Sequence, residues 1–280
     1  MIDPDYLRPR LLHRENDSHK GDYGHLVIIA GCETMPGAAV LATGAALQSG
    51  CGLVTLHSTE RTLQAAAVNF PSAILSEDPG TCFSCCPMEM DRYSAIVVGP
   101  GLGKAEATIP AFRILMDIAG RKSIPMVLDA DALNIIADHP EYVSGIPRGS
   151  ILTPHLGEFR RLFPLASLSD MDDIALDFSR RSGDVLVLKG FHSKVFTPGG
   201  DVLVNTTGNP GMAKGGSGDV LSGLIGGLLA RGYPSEDAAA LGVWIHGYAG
   251  DVLTAGRTAE SYSSRDLIDN LWQGFHRLYT

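Results

Sequence analysis

The chain has 280 residues, 45% of them hydrophobic, and a formal net charge of −9. That length suffices for one large α/β domain with a substantial core, and the acidic balance speaks against nucleic-acid partners and anionic membrane surfaces. With no apolar run of about 18 residues and no signal-peptide core at the start, a soluble, cytoplasmic protein is expected.

Residues 1–18 form a lead-in without periodic signal, read as frayed or as reaching a partner subunit. Beyond them, short apolar runs alternate with helical stretches. His25–Ala30, Leu53–His57, Ala95–Gly99, Met126–Asp129, Ser150–Leu152 and Val185–Lys189 read as strands buried on both faces, because their apolar runs are nearly continuous. Gly37–Ser49, Ala105–Ala119, Asp131–Ala137 and Asp170–Ser182 read as helices, with Asp170 a candidate cap. Such alternation builds a mostly parallel sheet covered by helices. Lys194–Phe196 and Val202–Asn205 flank TPGGD, a hairpin signal that adds late antiparallel strands. Asp219–Arg231, Ser235–Thr254 and Ser263–Tyr279 finish the chain as helices. The expectation is one domain over 1–280, with no internal repeat or linker.

Five cysteines fit a reducing compartment. Cys82, Cys85 and Cys86 form C-x-x-C-C, but no second Cys or His pair follows at ligand spacing. They read as loop thiols rather than a zinc site.

The stretch from Asn205 to Arg231 places two glycine-rich turns before Asp219 and an apolar segment. Val220, Leu221, Leu224, Ile225, Leu228 and Leu229 line one face of a helix. Gly215, Gly216 and Gly218 let several N–H groups converge at that helix's N-terminus, where an anion is favoured. Two readings stand at this point: a phosphate cradle with Asp219 as general base, or a helix cap after a glycine loop.

Ligands in such a sheet gather at the carboxyl ends of the strands. There the chain places Gly99-Pro100-Gly101-Leu102-Gly103, Asp129-Ala130-Asp131, Thr153 to Glu158, and Lys189-Gly190. Each alone has an ordinary explanation: a tight turn, a helix cap, a satisfied loop histidine, an ion-pair partner. Four in register beside the glycine-rich turn are hard to explain by structure alone.

HKGDYGHLVIIAG, MPGAAVLA, SGCGLVTL, VVGPGLG, VLDADALN, LTPHLGEF, LVLKG and NTTGNPGMAKGGSGDVLSG together resemble the ADP- or ATP-dependent NAD(P)H-hydrate dehydratases, from about His19 to Asp251. The resemblance implies a three-layer αβα ribokinase-like fold. It also implies repair of hydrated NADH or NADPH: the nucleotide's terminal phosphoryl moves to the ring C6 hydroxyl, and phosphate is then eliminated. On the family's pattern, Asp219 is the catalytic base. Lys189, Gly190, Phe191, His192, Ser193 and the turn Gly215, Gly216, Ser217, Gly218 hold the nucleotide. Ala39, Gly101, Gly103, His155, Asn209 and Asp219 contact the hydrated dinucleotide. Glu158 stands where ribokinase-like kinases place a glutamate near the magnesium, which suggests an indirect, water-mediated role.

The resemblance further implies Mg2+, ADP with ATP as the alternative donor, and a homo-oligomer such as a tetramer. A separate epimerase is expected, because no second αβα unit precedes His19. Three other readings are weighed against this one. A small-molecule (vitamin-precursor) kinase would phosphorylate an alcohol and stop. A nucleotide sensor would bind without turnover. A Rossmann oxidoreductase fails because G-x-G-x-x-G would need glycine at Lys104 or Glu106.

Overall fold

The computed structural model describes residues 1–164 and 169–280. Its strands are β1 (His25–Ile29), β2 (Leu53–Thr59), β3 (Ile74–Asp78), β4 (Ala95–Val98), β5 (Met126–Leu128), β6 (Ile151–Leu152), β7 (Val185–Leu188), β8 (Lys194–Phe196) and β9 (Val202–Val204). They form one sheet in the order β3-β2-β1-β4-β5-β6-β7-β8-β9. The pairs from β3 through β7 are parallel, and β7-β8 and β8-β9 are antiparallel, as the hairpin signal predicts.

The helices are α1 (Pro4–Leu7), α2 (Pro36–Leu47), α3 (Glu60–Asn69), α4 (Thr108–Lys122), α5 (Asp131–Asp138), α6 (Leu156–Leu162), α7 (Met171–Ser182), α8 (Ser217–Ala230), α9 (Ser235–Gly256) and α10 (Ser264–Tyr279). Strand alternation sorts the core into two layers. Leu26 and Ile28 turn toward α2, α8, α9 and α10, while Val27 and Ile29 turn toward α4 and α5. All four are fully buried, and each such side chain stabilises the fold by about 1.5–3 kcal/mol. α6 and α7 extend the second layer over β7 and β8 through Phe159, Ala175, Leu186 and Phe196.

Local chemistry sets the helix ends. Pro36 opens α2 at its first turn. His155 and Glu158 form a reciprocal capping box at α6, and Ser263 and Asp266 do the same at α10. Asp170 occupies the N-cap of α7 and accepts from Ser169 Oγ at 2.8 Å.

The structure departs from the sequence expectation in three places. α3, β3 and α6 have no counterpart there: β3 reads ILSED, an edge strand whose polar half hides its periodicity. α8 is buried on all sides rather than along one face, being sandwiched among α2, α9 and the sheet. The lead-in is not frayed over its first part. Ile2 and Leu7 are fully buried, and Ile2 N–H donates to Val204 O at 2.8 Å along the β9 edge. Residues 12–20 are exposed. No helix of the described residues is long and apolar enough to cross a membrane.

Candidate active site

The ends of β4, β5, β6 and β7 come together with the N-terminus of α8. Gly99 follows β4 with φ 123°, and a Cβ there would lie 1.9 Å from Asp129 O. Only glycine fits so close a crossing of two strand ends. Gly101, at φ 58°, packs on the start of α2, where an added Cβ would meet Met35 O at 2.8 Å. Gly103 N–H donates to Asp131 Oδ2 at 2.8 Å. Ala39 is fully buried in α2, so only its backbone and its packing shape this corner.

Asp129, Lys189 and Glu158 form a charged cluster under the cradle. Lys189 Nζ lies 2.6 Å from Asp129 Oδ1 and 3.8 Å from Glu158 Oε2. Burial alone would lower the lysine's pKa, but the carboxylates of Asp129 and Glu158 outweigh it and hold it above the ordinary value. Ser222 Oγ, one turn into α8, donates to the other oxygen of Asp129. Glu158 is buried, and its Oε2 accepts from His155 N–H at 2.8 Å. The imidazole Nδ1 of His155 accepts in turn from the Gly157 and Glu158 N–H groups at 2.9 and 3.3 Å.

Asp219 sits in the first turn of α8, partly buried, and among the described residues makes no ion pair within 4.0 Å and no side-chain hydrogen bond. Burial pushes its pKa up to about 6; Asp129 adds to the rise and Lys189 opposes it. That value suits a base working near neutrality. Gly216, with φ 90°, is the left-handed residue that turns the chain into α8.

Beside this cluster opens a cavity of about 680 Å³. Lys189, Gly190, Phe191, Ser193, Asn209, Ser217 and Gly218 line it, together with His155. Phe191 is 68% exposed, an apolar ring against which a flat base can stack. His192 packs on it at 4.2 Å between centroids and approaches Asn205 O at 3.2 Å. The amide of Asn209 is already engaged: Oδ1 accepts from Gly211 N–H and Tyr262 OH, and Nδ2 donates to Asp251. Ala39, Gly101 and Gly103 lie apart from this cavity, across the Asp129–Asp131 turn. Of the residues expected to contact the hydrated dinucleotide, Ala39, Gly101 and Gly103 therefore lie in a second region, while His155 and Asn209 line the cavity with most of the expected nucleotide residues; the two regions meet at Asp129, Lys189 and α8.

The sequence reading assigns no role to His246 or Lys214, which also belong to the site. His246 of α9 lines the cavity, its Nε2 3.4 Å from Ser217 Oγ. Burial drives its pKa down to about 4, so it is neutral. A polar side chain amid the apolar run LGVWIHGYAG is the signal that marks it. Lys214 also lines the cavity but is tied to the carbonyls of Tyr262 and Ala259.

A magnesium ion is testable against these residues. Among the described residues, no three His, Cys, Asp or Glu ligands converge here; the one such group is His57, Asp78 and Cys85. In that group Asp78 already accepts from the Gly80, Ser84 and Cys85 N–H groups, and burial, with the Asp78 carboxylate adding, holds the Cys85 thiol above its ordinary value. A cation at the cradle would rest mainly on phosphate oxygens, with Glu158 behind a water.

The sheet order, the glycine-led α8 and a site at the strand ends define a ribokinase-like α/β protein. A ribokinase-like superfamily protein from Enterococcus faecalis superposes with TM-score 0.85 at 26% identity, over 99% of this chain and 95% of that one. The chain belongs to the NAD(P)H-hydrate dehydratase family, whose model matches residues 26–273. It is 38% identical to an ADP-dependent (S)-NAD(P)H-hydrate dehydratase from Neisseria meningitidis, over 86% of this chain and 80% of that protein. The ADP/ATP-dependent NAD(P)H-hydrate dehydratase of Bacillus subtilis, crystallised with ATP and Mg2+, superposes with TM-score 0.84 at 30% identity, covering 99% and 97% of the two chains. A bifunctional NAD(P)H-hydrate repair enzyme from Gloeobacter violaceus is 39% identical over 92% of this chain. The chain spans about half the length of such bifunctional relatives, 51% in this case.

Proposed function

We propose that the chain dehydrates hydrated NADH and NADPH, with an adenine nucleotide as phosphoryl donor. The observation that carries this reading is Asp219, a carboxylate without a partner among the described residues and with pKa about 6, in the first turn of α8 beside Lys189. A carboxylate at an anion cradle is electrostatically costly unless it handles a proton.

The nucleotide occupies the cavity, its base against Phe191 and its phosphates toward the Gly215–Gly218 amides and Lys189. The reduced nicotinamide ring reaches Asp219 from the side of Gly101, Gly103 and His155. Asp219 takes the proton of the C6 hydroxyl as its oxygen bonds to the terminal phosphorus, and the bond to the nucleotide's bridging oxygen breaks. Phosphate then leaves C6 while the neighbouring ring carbon loses a proton, which restores the double bond. Phosphoryl transfer asks for positioning and charge neutralisation, and the amides and Lys189 supply both. Bound magnesium would neutralise charge on the phosphate oxygens, with Glu158 placed to hold it through water.

The proposal extends to a cytoplasmic enzyme that forms a homo-oligomer and is functionally paired with an epimerase. ADP is taken as the donor, with ATP as the alternative.

The test mixes purified protein, hydrated NADH, Mg2+ and either ADP or ATP, and follows the return of reduced-nicotinamide absorbance. Nucleotide-dependent recovery with one phosphate released per NADH is expected. A stable phosphorylated product without recovery would instead establish a small-molecule kinase.

A further inference from the structure

The site sets three carboxylates, Asp129, Glu158 and Asp219, around the ammonium of Lys189, and Asp131 adds its charge to the field at Asp219. A lysine beside a general base is a hazard. An ion pair with Asp219 would occupy the lone pairs that must take the substrate's proton. The ammonium lies 2.6 Å from Asp129 and 3.8 Å from Glu158, while Asp219 has no ion pair within 4.0 Å among the described residues.

We propose that Asp129 is a positioning residue: its two oxygens bind Lys189 and Ser222, hold the ammonium beside Gly218, and so keep the lysine off Asp219. The inference rests on the dehydratase reading given above.

Three observations converge on it. A Cβ added at Gly218 would lie 3.4 Å from Lys189 Nζ and 3.9 Å from Asp129 Oδ2, so the pair sits directly under the cradle. Ser222 is three residues beyond Asp219 and four beyond Gly218, whose carbonyl lies 2.9 Å from Ser222 Oγ. The second oxygen of Asp129 is therefore tied to the helical turn that carries both residues. Ala130 stands at φ 49°, ψ −115°, a conformation that a residue with a Cβ rarely holds. Strain of this kind persists where the surroundings demand it. Here it divides two neighbouring carboxylates: Asp129 faces Lys189 and α8, and Asp131 faces the Gly103 N–H on the substrate side.

The test measures kcat and the KM of nucleotide and of hydrated NADH for wild type, Asp129→Asn and Ser222→Ala, with a crystal structure of Asp129→Asn. In Asp129→Asn, kcat is expected to fall by at least ~10², while each KM moves less than about fivefold. Lys189 should then be found paired with Asp219. Ser222→Ala keeps the charges and frees one oxygen of Asp129, and should lower kcat by about three- to tenfold. Asp129→Asn with kcat within about threefold of wild type overturns the proposal, as does a raised nucleotide KM at unchanged kcat. So does a lost kcat with Lys189 still beside Gly218. If Asp129→Asn does not fold, unchanged kcat in Ser222→Ala overturns it. A wild-type protein that restores no NADH would refute the activity itself, and the position of Lys189 in the Asp129→Asn structure would still decide this assignment.

Discussion

An ionised carboxylate without a partner works against the fold that holds it, and Asp219 is such a group. Its folded-state pKa of about 6 lies above the ordinary 3.8, so its contribution to stability is present below about pH 4 and is lost as pH rises through about 6. Asp219→Asn should therefore raise stability by about 1–2 kcal/mol at pH 8, discounted for partial exposure, with no gain below about pH 4. Denaturant titration at the two pH values checks this. The same substitution should leave nucleotide binding intact while turnover falls by at least ~10². Near-wild-type turnover would remove Asp219 from the chemistry. In wild type, kcat/KM should drop on the acid side with a midpoint near pH 6, and that limb should vanish in Asp219→Asn. Lys189→Ala acts in the opposite sense. It leaves Asp129 and Glu158 buried without their cation, a loss of about 3–5 kcal/mol. It should also raise the nucleotide KM more than that of the hydrated cofactor, and the reverse ordering would exchange the two regions of the site. Asp219, Lys189 and the glycines were legible because each follows a strand or opens a helix. The contacts of Asp129 and His246 were not, since their partners Ser222 and Ser217 lie 93 and 29 residues away.

At the scale of elements, α8 is placed by what its glycines lack. A Cβ at Gly223 would come within 2.0 Å of the Ala42 carbonyl, and one at Gly226 within 2.0 Å of Val97 Cγ2. The helix therefore lies against α2 on one side and β4 on another, and its N-terminus is delivered to the strand ends with little freedom. Gly223→Ala meets backbone that cannot step aside and should cost about 3 kcal/mol, the upper range for overpacking. Gly37→Ala, in α2 with nothing within 4 Å, should be neutral or stabilise by about 0.4–1 kcal/mol. Melting curves of the two variants test the contrast, and equal midpoints would dismiss the close-packing account. In the sequence these glycines interrupt an apolar pattern and read as one lined face. That a second and third face are also covered follows only from the packing of α9 and the sheet. β3 was hidden for the opposite reason: it is an edge strand, with Ile74 and Leu75 exposed, so burial never imposed a clear alternation on it.

For the molecule as a whole, the strand–helix alternation and the late hairpin were readable, because each central strand is buried on both faces and each turn has its own residue chemistry. The sheet order was not readable, since adjacency across β1 and β4 or β6 and β7 leaves no local trace. If the cavity takes nucleotide in the folded state alone, ADP or ATP with Mg2+ at about 100 times its Kd should add about 2.7 kcal/mol. A calorimetric midpoint unmoved by both nucleotides would exclude the cavity as their site. One feature at the opposite edge of the sheet bears on how the chain is assembled. Ile2 is held by Val204 and Thr206, Leu12 by Arg231, Tyr233 and Tyr279, and Arg8 by the carbonyls of Arg277 and Leu278. Every one of these partners is synthesised some 200 residues or more later. During translation, residues 1–12 wait unplaced while the sheet grows, and the β9 edge stays uncovered until they return. The segment made before all its partners is thus the seam that closes last.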